Sequence, residues 1–172
     1  PVQFRLPAEA QLRKAMTLEC WVKPLAESEE RLQRIVGRSS DFGLYLSKGG
    51  RLTWFVMSRE WKSLGVTVPL GDWTHLAGTF DGITMRLYVN GELAGEIANP
   101  GELRQPGTPF YLGTETGADR HRFLGLIDEI RLSKVARTEF MPGRALAQPT
   151  PSATFAAKEL AEDAFTRTLL VP

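Results

Sequence analysis

The sequence predicts an all-β fold, an antiparallel β-sandwich or a barrel of about a dozen short strands with little helix. Short runs of alternating apolar and polar residues recur along the chain, and its 16 glycines and 11 prolines fall between them. Asp81-Gly82 and Asn90-Gly91 are typical two-residue hairpin turns. Because they lie close together in the sequence, they predict a three-stranded antiparallel meander.

Each alternating run predicts one strand. Within Met16–Lys23, the residues Met16, Leu18, Cys20 and Val22 share one face, which predicts a core-facing strand. Ala156–Phe165 is the only stretch of good helix formers. The predicted strands are Val2–Leu6, Met16–Lys23, Gln33–Arg38, Phe42–Ser47, Leu52–Met57, Leu64–Val68, Trp73–Phe80, Ile83–Val89, Leu93–Ile97, Phe110–Gly113, Phe123–Leu132 and a final edge strand Thr168–Val171.

Composition excludes several classes of protein. The 21 basic and 20 acidic residues give a net charge of +1, which argues against binding to nucleic acid or to an anionic membrane surface. No apolar run approaches the roughly 18 residues needed to span a bilayer, so we expect no membrane insertion. The single cysteine, Cys20, excludes an internal disulfide framework. Since the chain begins at Pro1, we expect it to be part of a longer protein with other domains.

The 172 residues predict one principal domain. We place the β-sandwich at residues 1–140 and a linker with a C-terminal segment at 141–172, because Pro142–Ser152 is rich in proline, glycine and small residues. Apolar residues such as Phe155, Leu160 and Phe165 would be costly to leave in water. We therefore expect the C-terminal segment to dock back on the sandwich, with packing on a partner as the alternative.

Three segments carry a family resemblance. They are MTLECWVKP (16–24), DWTHLAGTFDGITMRLYVNGELAGE (72–96) and FLGLIDEIRLSKVART (123–138). In this order they resemble the LamG-like jelly-roll domains of the concanavalin A-like lectin/glucanase superfamily, and the resemblance covers roughly Val2 to Phe140. It implies two antiparallel sheets packed face to face. It also implies a binding or adhesion module of a larger protein that is extracellular, periplasmic or on the cell surface.

The resemblance implies carbohydrate binding, since many members of the family bind sugars. We therefore expect a non-catalytic module for a glycan or polysaccharide, with a structural or protein–protein interaction module as the alternative. An enzyme is disfavoured, because retaining glycosidases need two carboxylates about 5–5.5 Å apart. The Glu-x-Asp-x-x-Glu arrangement of the superfamily's glucanases is absent from the sequence.

Aromatic side chains are the candidate sugar-binding groups, because flat rings stack on the apolar faces of sugars. Trp61 stands in a polar run, and we expect it to form a site with Arg59, Tyr45 and the loop residues Asp119 and His121. Other aromatic candidates are Trp54, Tyr88 and Tyr111. Trp21 and Trp73 lie in motifs typical of the family's strands and are predicted to be core residues.

Calcium is the candidate cofactor, because the resemblance implies a structural calcium in many members. Asp128 is the candidate ligand, since it lies mid-strand in an apolar run where a carboxylate needs a partner. The favoured interpretation is that this carboxylate accepts backbone N–H groups or pairs with Arg131 or Arg137, and calcium binding is the alternative. Asp41 is predicted to lie in a solvated turn, with a loop ligand as the alternative, and His75 is predicted to be a packed residue of its strand.

Overall fold

The computed structural model describes residues 2–4, 12–26, 32–38, 40–104, 109–114, 121–140 and 164–167. They form two six-stranded antiparallel sheets. Sheet A has the order β1-β10-β3-β4-β5-β6, and sheet B has the order β12-β11-β2-β7-β8-β9. The strands are β1 Val2–Phe4, β2 Met16–Pro24, β3 Gln33–Arg38, β4 Phe42–Ser47, β5 Arg51–Met57, β6 Trp61–Thr67, β7 Thr74–Phe80, β8 Thr84–Val89, β9 Glu92–Ala98, β10 Phe110–Leu112, β11 Gly125–Ser133 and β12 Ala164–Arg167.

The predicted fold class is confirmed, and most predicted strands lie within two residues of the observed ones. Strand β6 differs, because it begins at Trp61 instead of Leu64. Strand β12 pairs with β11 from Ser133↔Ala164 to Ile130↔Arg167 and overlaps the end of the stretch of helix formers. The rest of that stretch and Thr168–Val171 lie outside the described residues. The division of the chain at residue 140 stays a prediction.

The meander of β7, β8 and β9 is held by the two turns that the sequence predicts. Asp81 Oδ1 accepts hydrogen bonds from the backbone N–H groups of Ile83 (2.9 Å) and Thr84 (2.7 Å). At the second turn, Asn90 and Gly91 have φ values of 51° and 87°, which is the left-handed conformation that a two-residue hairpin requires. Both turns therefore fix the register of sheet B by local chemistry.

The core lies between the sheets and follows the alternation of the strands. Strand β2 contributes Met16, Leu18, Cys20 and Val22, as predicted, and all of them are buried. Burial raises the pKa of the Cys20 thiol, so this side chain behaves as a small apolar group. Sheet A contributes buried side chains from β4 and β5, which are Phe42, Leu44, Leu46, Leu52, Trp54 and Val56.

Trp54 joins the two sheets. Its indole lies on Gly78 of sheet B, so closely that a Cβ on that glycine would be 2.3 Å from the ring. Its Nε1 donates a hydrogen bond to the Thr79 carbonyl over 3.3 Å. Because Trp54 is fully buried, its prediction as a sugar-binding aromatic is wrong, and the ring serves to fix the distance between the sheets.

Asp41 also departs from expectation, since it is fully buried instead of lying in a solvated turn. Its Oδ2 accepts a 3.4 Å hydrogen bond from Arg38. Burial of the carboxyl raises its pKa from 3.8 to about 6, although Arg38 and Arg104 act in the opposite direction. The turn before β4 therefore holds a titratable group inside the protein.

Among the residues that the structure describes, no helix has the length and apolar character needed to cross a membrane.

Candidate functional site

A groove crosses the outer face of sheet A. It follows from the alternation of β4, β5 and β6, since each strand that sends one set of side chains to the core sends the other set outward. The groove has a volume of about 430 Å³. Its lining, which defines the sheet A groove, consists of Leu32, Tyr45, Ser47, Arg51, Thr53, Ser63 and His121.

Aromatic rings on the same face continue beyond the groove. Phe55 is buried beneath Trp61, and the two rings stack with centroids 4.2 Å apart and an interplanar angle of 16°. Tyr45 contacts Phe55 from the groove side, with centroids 5.9 Å apart. Trp61 remains 45% exposed, so its outer face is free to receive a flat apolar surface. Tyr45, Phe55 and Trp61 thus form an aromatic row that starts at the groove.

Arg34 supports this row from β3. Its guanidinium carbon lies 5.1 Å from the centre of the Phe55 ring, within the range of a cation–π contact. Gly43 allows the approach, because a Cβ there would be 3.0 Å from Arg34 Nη1 and 3.1 Å from the Phe55 ring. The arginine and the ring can therefore lie flat on the sheet.

His121 closes one end of the groove. Its backbone is in the left-handed conformation, with φ of 64°, and its carbonyl accepts a 2.8 Å hydrogen bond from the Arg34 N–H. This hydrogen bond ties the chain at His121 to strand β3. The histidine is thus held against sheet A although it is distant in sequence from the other lining residues.

The structure places the predicted site residues as follows. Tyr45 and His121 meet in the sheet A groove, and Trp61 reaches it through Phe55. Arg59 does not line the groove, because its side-chain stem packs beside Gly101, 3.2 Å from where a Cβ would lie. Asp119 lies outside the described residues. The role of these residues in binding a ligand stays a prediction.

Sequence reasoning missed three polar residues of the groove. Arg51, Thr53 and Ser63 lie in β5 and β6 and face outward with Tyr45. The sequence signal that could have found them is alternation along the strand, since Thr53 and Arg51 are two and four residues before Phe55 and lie on the same side of β5. Tyr88 and Tyr111, by contrast, are 5% and 8% exposed, so their prediction as sugar-binding rings is not supported by their position.

A second groove, of about 730 Å³, lies on the outer face of sheet B and surrounds a buried carboxylate. Glu19 of β2 forms an ion pair with Arg137, and its carboxylate oxygens lie 3.5 Å from His75 Nε2 and 3.6 Å from Arg131 Nε. Trp21 packs edge-on against His75. The prediction that Trp21 belongs to the core is wrong, because this half-buried ring faces outward.

Residues 134–140 cross this face as a strap. Thr17 Oγ1 donates to the Val135 carbonyl (2.7 Å) and accepts from the Arg137 N–H (2.9 Å). At the end of the strap, Phe140 packs against Tyr88 with ring centroids 4.8 Å apart. Charged and aromatic groups here are largely occupied with one another, which indicates that they stabilise the fold.

Asp128 has a local hydrogen-bond partner. Its Oδ1 accepts a 2.8 Å hydrogen bond from the Glu129 N–H, at a β-bulge where Glu129 has φ of 48°. Arg131 and Arg137 turn to Glu19 instead. Calcium takes six to eight oxygens, and the described residues contain no cluster of three or more acidic, histidine or cysteine side chains suited to a metal. Calcium at Asp128 stays a prediction with no donor set behind it.

Comparison with known proteins gives a family match. Residues 3–139 match a family model described as the concanavalin A-like lectin/glucanases superfamily. The chain is also 32% identical over 168 residues to mouse pappalysin-1, which covers 80% of the chain. It spans about a tenth of the length of the curated relatives it matches.

Solved structures share the fold at low sequence identity. A Bacteroides ovatus protein to which carbohydrate binding has been ascribed superposes with a TM-score of 0.68 at 20% identity, over 81% of this chain and 43% of that one. Domain 4 of AbnA, a GH43 extracellular arabinanase from Geobacillus stearothermophilus, was solved in complex with arabinotriose. It superposes with a TM-score of 0.63 at 24% identity, over 81% and 70% of the two chains.

Proposed function

The chain belongs to the concanavalin A-like lectin/glucanases superfamily, and from this premise we propose that it is a non-catalytic, carbohydrate-binding module of a larger extracellular protein. The observation that carries the proposal is the sheet A groove with its adjoining aromatic row. Sugars present apolar C–H faces and a rim of hydroxyl groups. The exposed ring of Trp61 suits the first, and the hydroxyls of Ser63 and Tyr45 suit the second.

The lining of the groove favours binding without catalysis. Hydrolysis of a glycosidic bond in the usual way requires a pair of carboxyl groups beside the scissile bond. The described lining residues of the sheet A groove include no aspartate or glutamate. Glu19, in the other groove, is buried and forms an ion pair with Arg137, so this carboxylate is engaged within the protein.

The extracellular location and the larger parent protein rest on the comparisons. The arabinanase with the similar domain is described as extracellular, and pappalysin-1 is about ten times the matched length. A binding module fused to other domains increases their local concentration at a polymeric ligand through the linked site. We infer the same arrangement for this chain.

A glycan array of the purified chain, run with calcium and with a chelator, tests the proposal. The best ligand is then titrated calorimetrically against two tryptophan variants. Trp61→Ala removes the exposed ring beside the sheet A groove and should weaken binding roughly five- to twelvefold, since one stacked ring is worth about 1–1.5 kcal/mol. Trp21→Ala removes the half-buried ring on the opposite sheet and should leave affinity unchanged in protein that remains folded.

Array signals that survive Trp61→Ala but vanish with Trp21→Ala would place the site on sheet B and refute the assignment of the groove. Binding abolished by the chelator would establish calcium as a cofactor. An array without any ligand would contradict carbohydrate binding as a whole.

A protein-interaction module is the second candidate function, because three exposed leucines lie at one end of the sandwich. Leu25, Leu70 and Leu124 are 57%, 41% and 39% exposed. Backbone hydrogen bonds bring their segments together, from Leu25 N–H to the Leu124 carbonyl and from Gly71 N–H to the Pro24 carbonyl. A silent glycan array together with self-association that is lost in Leu25→Ser/Leu124→Ser would favour this function.

A further inference from the structure

We propose that the ligand of the sheet A groove is an acidic oligosaccharide, whose carboxylate or sulfate group binds Arg51. This inference rests on the proposed function and adds to it the chemical class of the sugar. Three observations support it: the charges of sheet A, the placement of the Arg51 guanidinium, and the separation between that guanidinium and the stacked ring of Trp61.

The strands of sheet A contain no acidic residue. Their sequences carry only basic charges, which are Arg34, Arg38, Arg51 and Lys62. In sheet B the strands carry Glu19, Glu92, Glu96, Asp128 and Glu129. Arg38 is ion-paired with Asp41 and Lys62 with Glu60, so Arg51 is the basic residue of these strands that an anion on the outer face can reach without meeting a strand carboxylate.

Arg51 is the exposed cation of the groove. Its guanidinium lies over Gly65 of the neighbouring strand, where a Cβ would come within 2.8 Å of its carbon and nitrogen atoms. The glycine thus allows the planar group to lie across the sheet, beside the hydroxyls of Thr53 and Ser63. Arg51 forms no ion pair with any residue that the structure describes. Its planar fork of N–H groups is therefore available for a carboxylate or sulfate, which it can bind with two parallel hydrogen bonds.

The remaining groups of the groove agree with an anionic ligand. The imidazole of His121 lines the same groove. Lys48 and Arg122 directly follow the lining residues Ser47 and His121 in the sequence and are exposed. A neutral sugar would leave the guanidinium without a charged partner, whereas an acidic sugar supplies one.

The distance along β6 sets the size of the ligand. Gly65, beneath the guanidinium, is four residues from Trp61, which corresponds to about 13 Å along a strand. A single sugar ring is shorter than this distance. The acidic group at Arg51 and the apolar face on Trp61 therefore belong to different units of one oligosaccharide.

Paired ligands that differ only in charge test the inference by calorimetry. Tetragalacturonic acid is compared with its methyl ester, and a sulfated carrageenan tetrasaccharide with its desulfated form. We expect the intact chain to prefer the charged member of at least one pair by tenfold or more, and the preference to shrink as salt is raised. The pair that shows the preference identifies carboxylate or sulfate as the recognised group.

Variants assign the preference to Arg51. Arg51→Gln should abolish the tenfold difference between charged and neutral ligands, Arg51→Lys should restore part of it, and Gly65→Ala should reduce it by displacing the guanidinium. Arg59→Gln is the matched control, since Arg59 is exposed but does not line the groove, and it should retain the full preference.

Equal affinity for both members of each pair, or a neutral glycan as the sole hit, would overturn the inference while leaving carbohydrate binding intact. A preference that persists in Arg51→Gln would overturn the assignment to Arg51. If neither the paired ligands nor the glycan array shows binding, the proposed function and this inference both fail.

Discussion

The two outer faces of the sandwich use charged residues in opposite ways. On sheet B, Glu19 is surrounded by Arg137, Arg131 and His75, and the charges hold the strap at 134–140 in place. On sheet A, Arg51 has no ionic partner among the described residues and lies beside an open groove. The same strand geometry thus serves stability on one face and leaves a surface free for binding on the other.

This difference shows why an exposed, unpaired cation indicates a ligand-binding site better than the volume of a groove does. The sheet B groove is the larger of the two, but its polar groups contact one another. A ligand there would have to displace an ion pair and pay for its loss. In the sheet A groove, a ligand can contact the Arg51 guanidinium without displacing an ion pair with any residue that the structure describes.

The largest loss of stability is expected at the contact between Trp54 and Gly78, which holds the two sheets together. Gly78→Val should place side-chain atoms inside the Trp54 ring and destabilise the protein by about 3 kcal/mol or more, because a packed core has no room to absorb them. Thermal unfolding should show a drop of about 10 °C. Gly95→Val is the control, since the nearest atom to a Cβ there is 3.7 Å away, and an equal drop in that variant would contradict the role of Trp54.

The next largest effect should change the stability of the protein without changing ligand binding at sheet A. Glu19→Gln removes the charge shared by Arg137, Arg131 and His75, and should cost about 2 kcal/mol, since the arginines are partly exposed and recover some hydration. Denaturant unfolding measures this change, while ligand affinity at the sheet A groove should stay unchanged. Glu129→Gln alters an exposed carboxylate of the same sheet and should leave the free energy of unfolding nearly unchanged. Loss of affinity in folded Glu19→Gln would show that the faces are not independent.

The alternation of side chains along a strand explains which residues of the two outer faces can be predicted from the sequence. Trp21 is out of phase with Met16, Leu18, Cys20 and Val22, so its outward position was available from the same alternation that defines the core face. Trp54 lies in a nearly continuous apolar run, LTWFVM, where parity does not distinguish the two faces. Fold class and turns are local properties and are predicted well for this reason.

Long-range partners are beyond such reasoning. Glu19 and Arg137 are 118 residues apart, and no sequence signal joins them. Trp61 stands in a polar run outside the predicted strand Leu64–Val68, but in the structure it begins β6 and its ring covers Phe55. The predicted grouping of Tyr45 with His121 came from residue type, whereas Arg51 was missed because it looks like an ordinary turn residue.

Asp41, in the turn between β3 and β4 of sheet A, is buried inside the protein. The pH dependence of unfolding therefore distinguishes it from the ion-paired Glu19 of sheet B. The pKa of Asp41 is raised to about 6 in the folded protein against 3.8 for the free group, so the folded state holds this proton more tightly. Its contribution to stability is full below pH 4 and is lost as the pH rises through 6, by about 2–3 kcal/mol at most. The pH dependence of unfolding should be flatter in Asp41→Asn between pH 4 and 7. Equal slopes would contradict a raised pKa.

The smallest effect on stability is expected for a substitution in the sheet A groove. Arg51→Gln should change the free energy of unfolding by less than about 0.5 kcal/mol, because the side chain is exposed and unpaired among the described residues. Chemical denaturation of this variant beside Glu19→Gln gives the comparison directly. A loss as large as that of Glu19→Gln would mean that Arg51 stabilises the fold and is not reserved for a ligand.

The joint at Trp54 has a thermodynamic consequence for binding. Thr53 and Phe55 flank Trp54 in β5 and point to the opposite side of the sheet, so the strand beneath the groove is anchored through its middle residue to sheet B. The backbone at the groove therefore loses its conformational entropy when the protein folds, and it loses little more when a ligand binds. Association should accordingly carry a small conformational entropy penalty, with the ordering cost falling mainly on the flexible sugar chain and on the exposed Arg51 side chain.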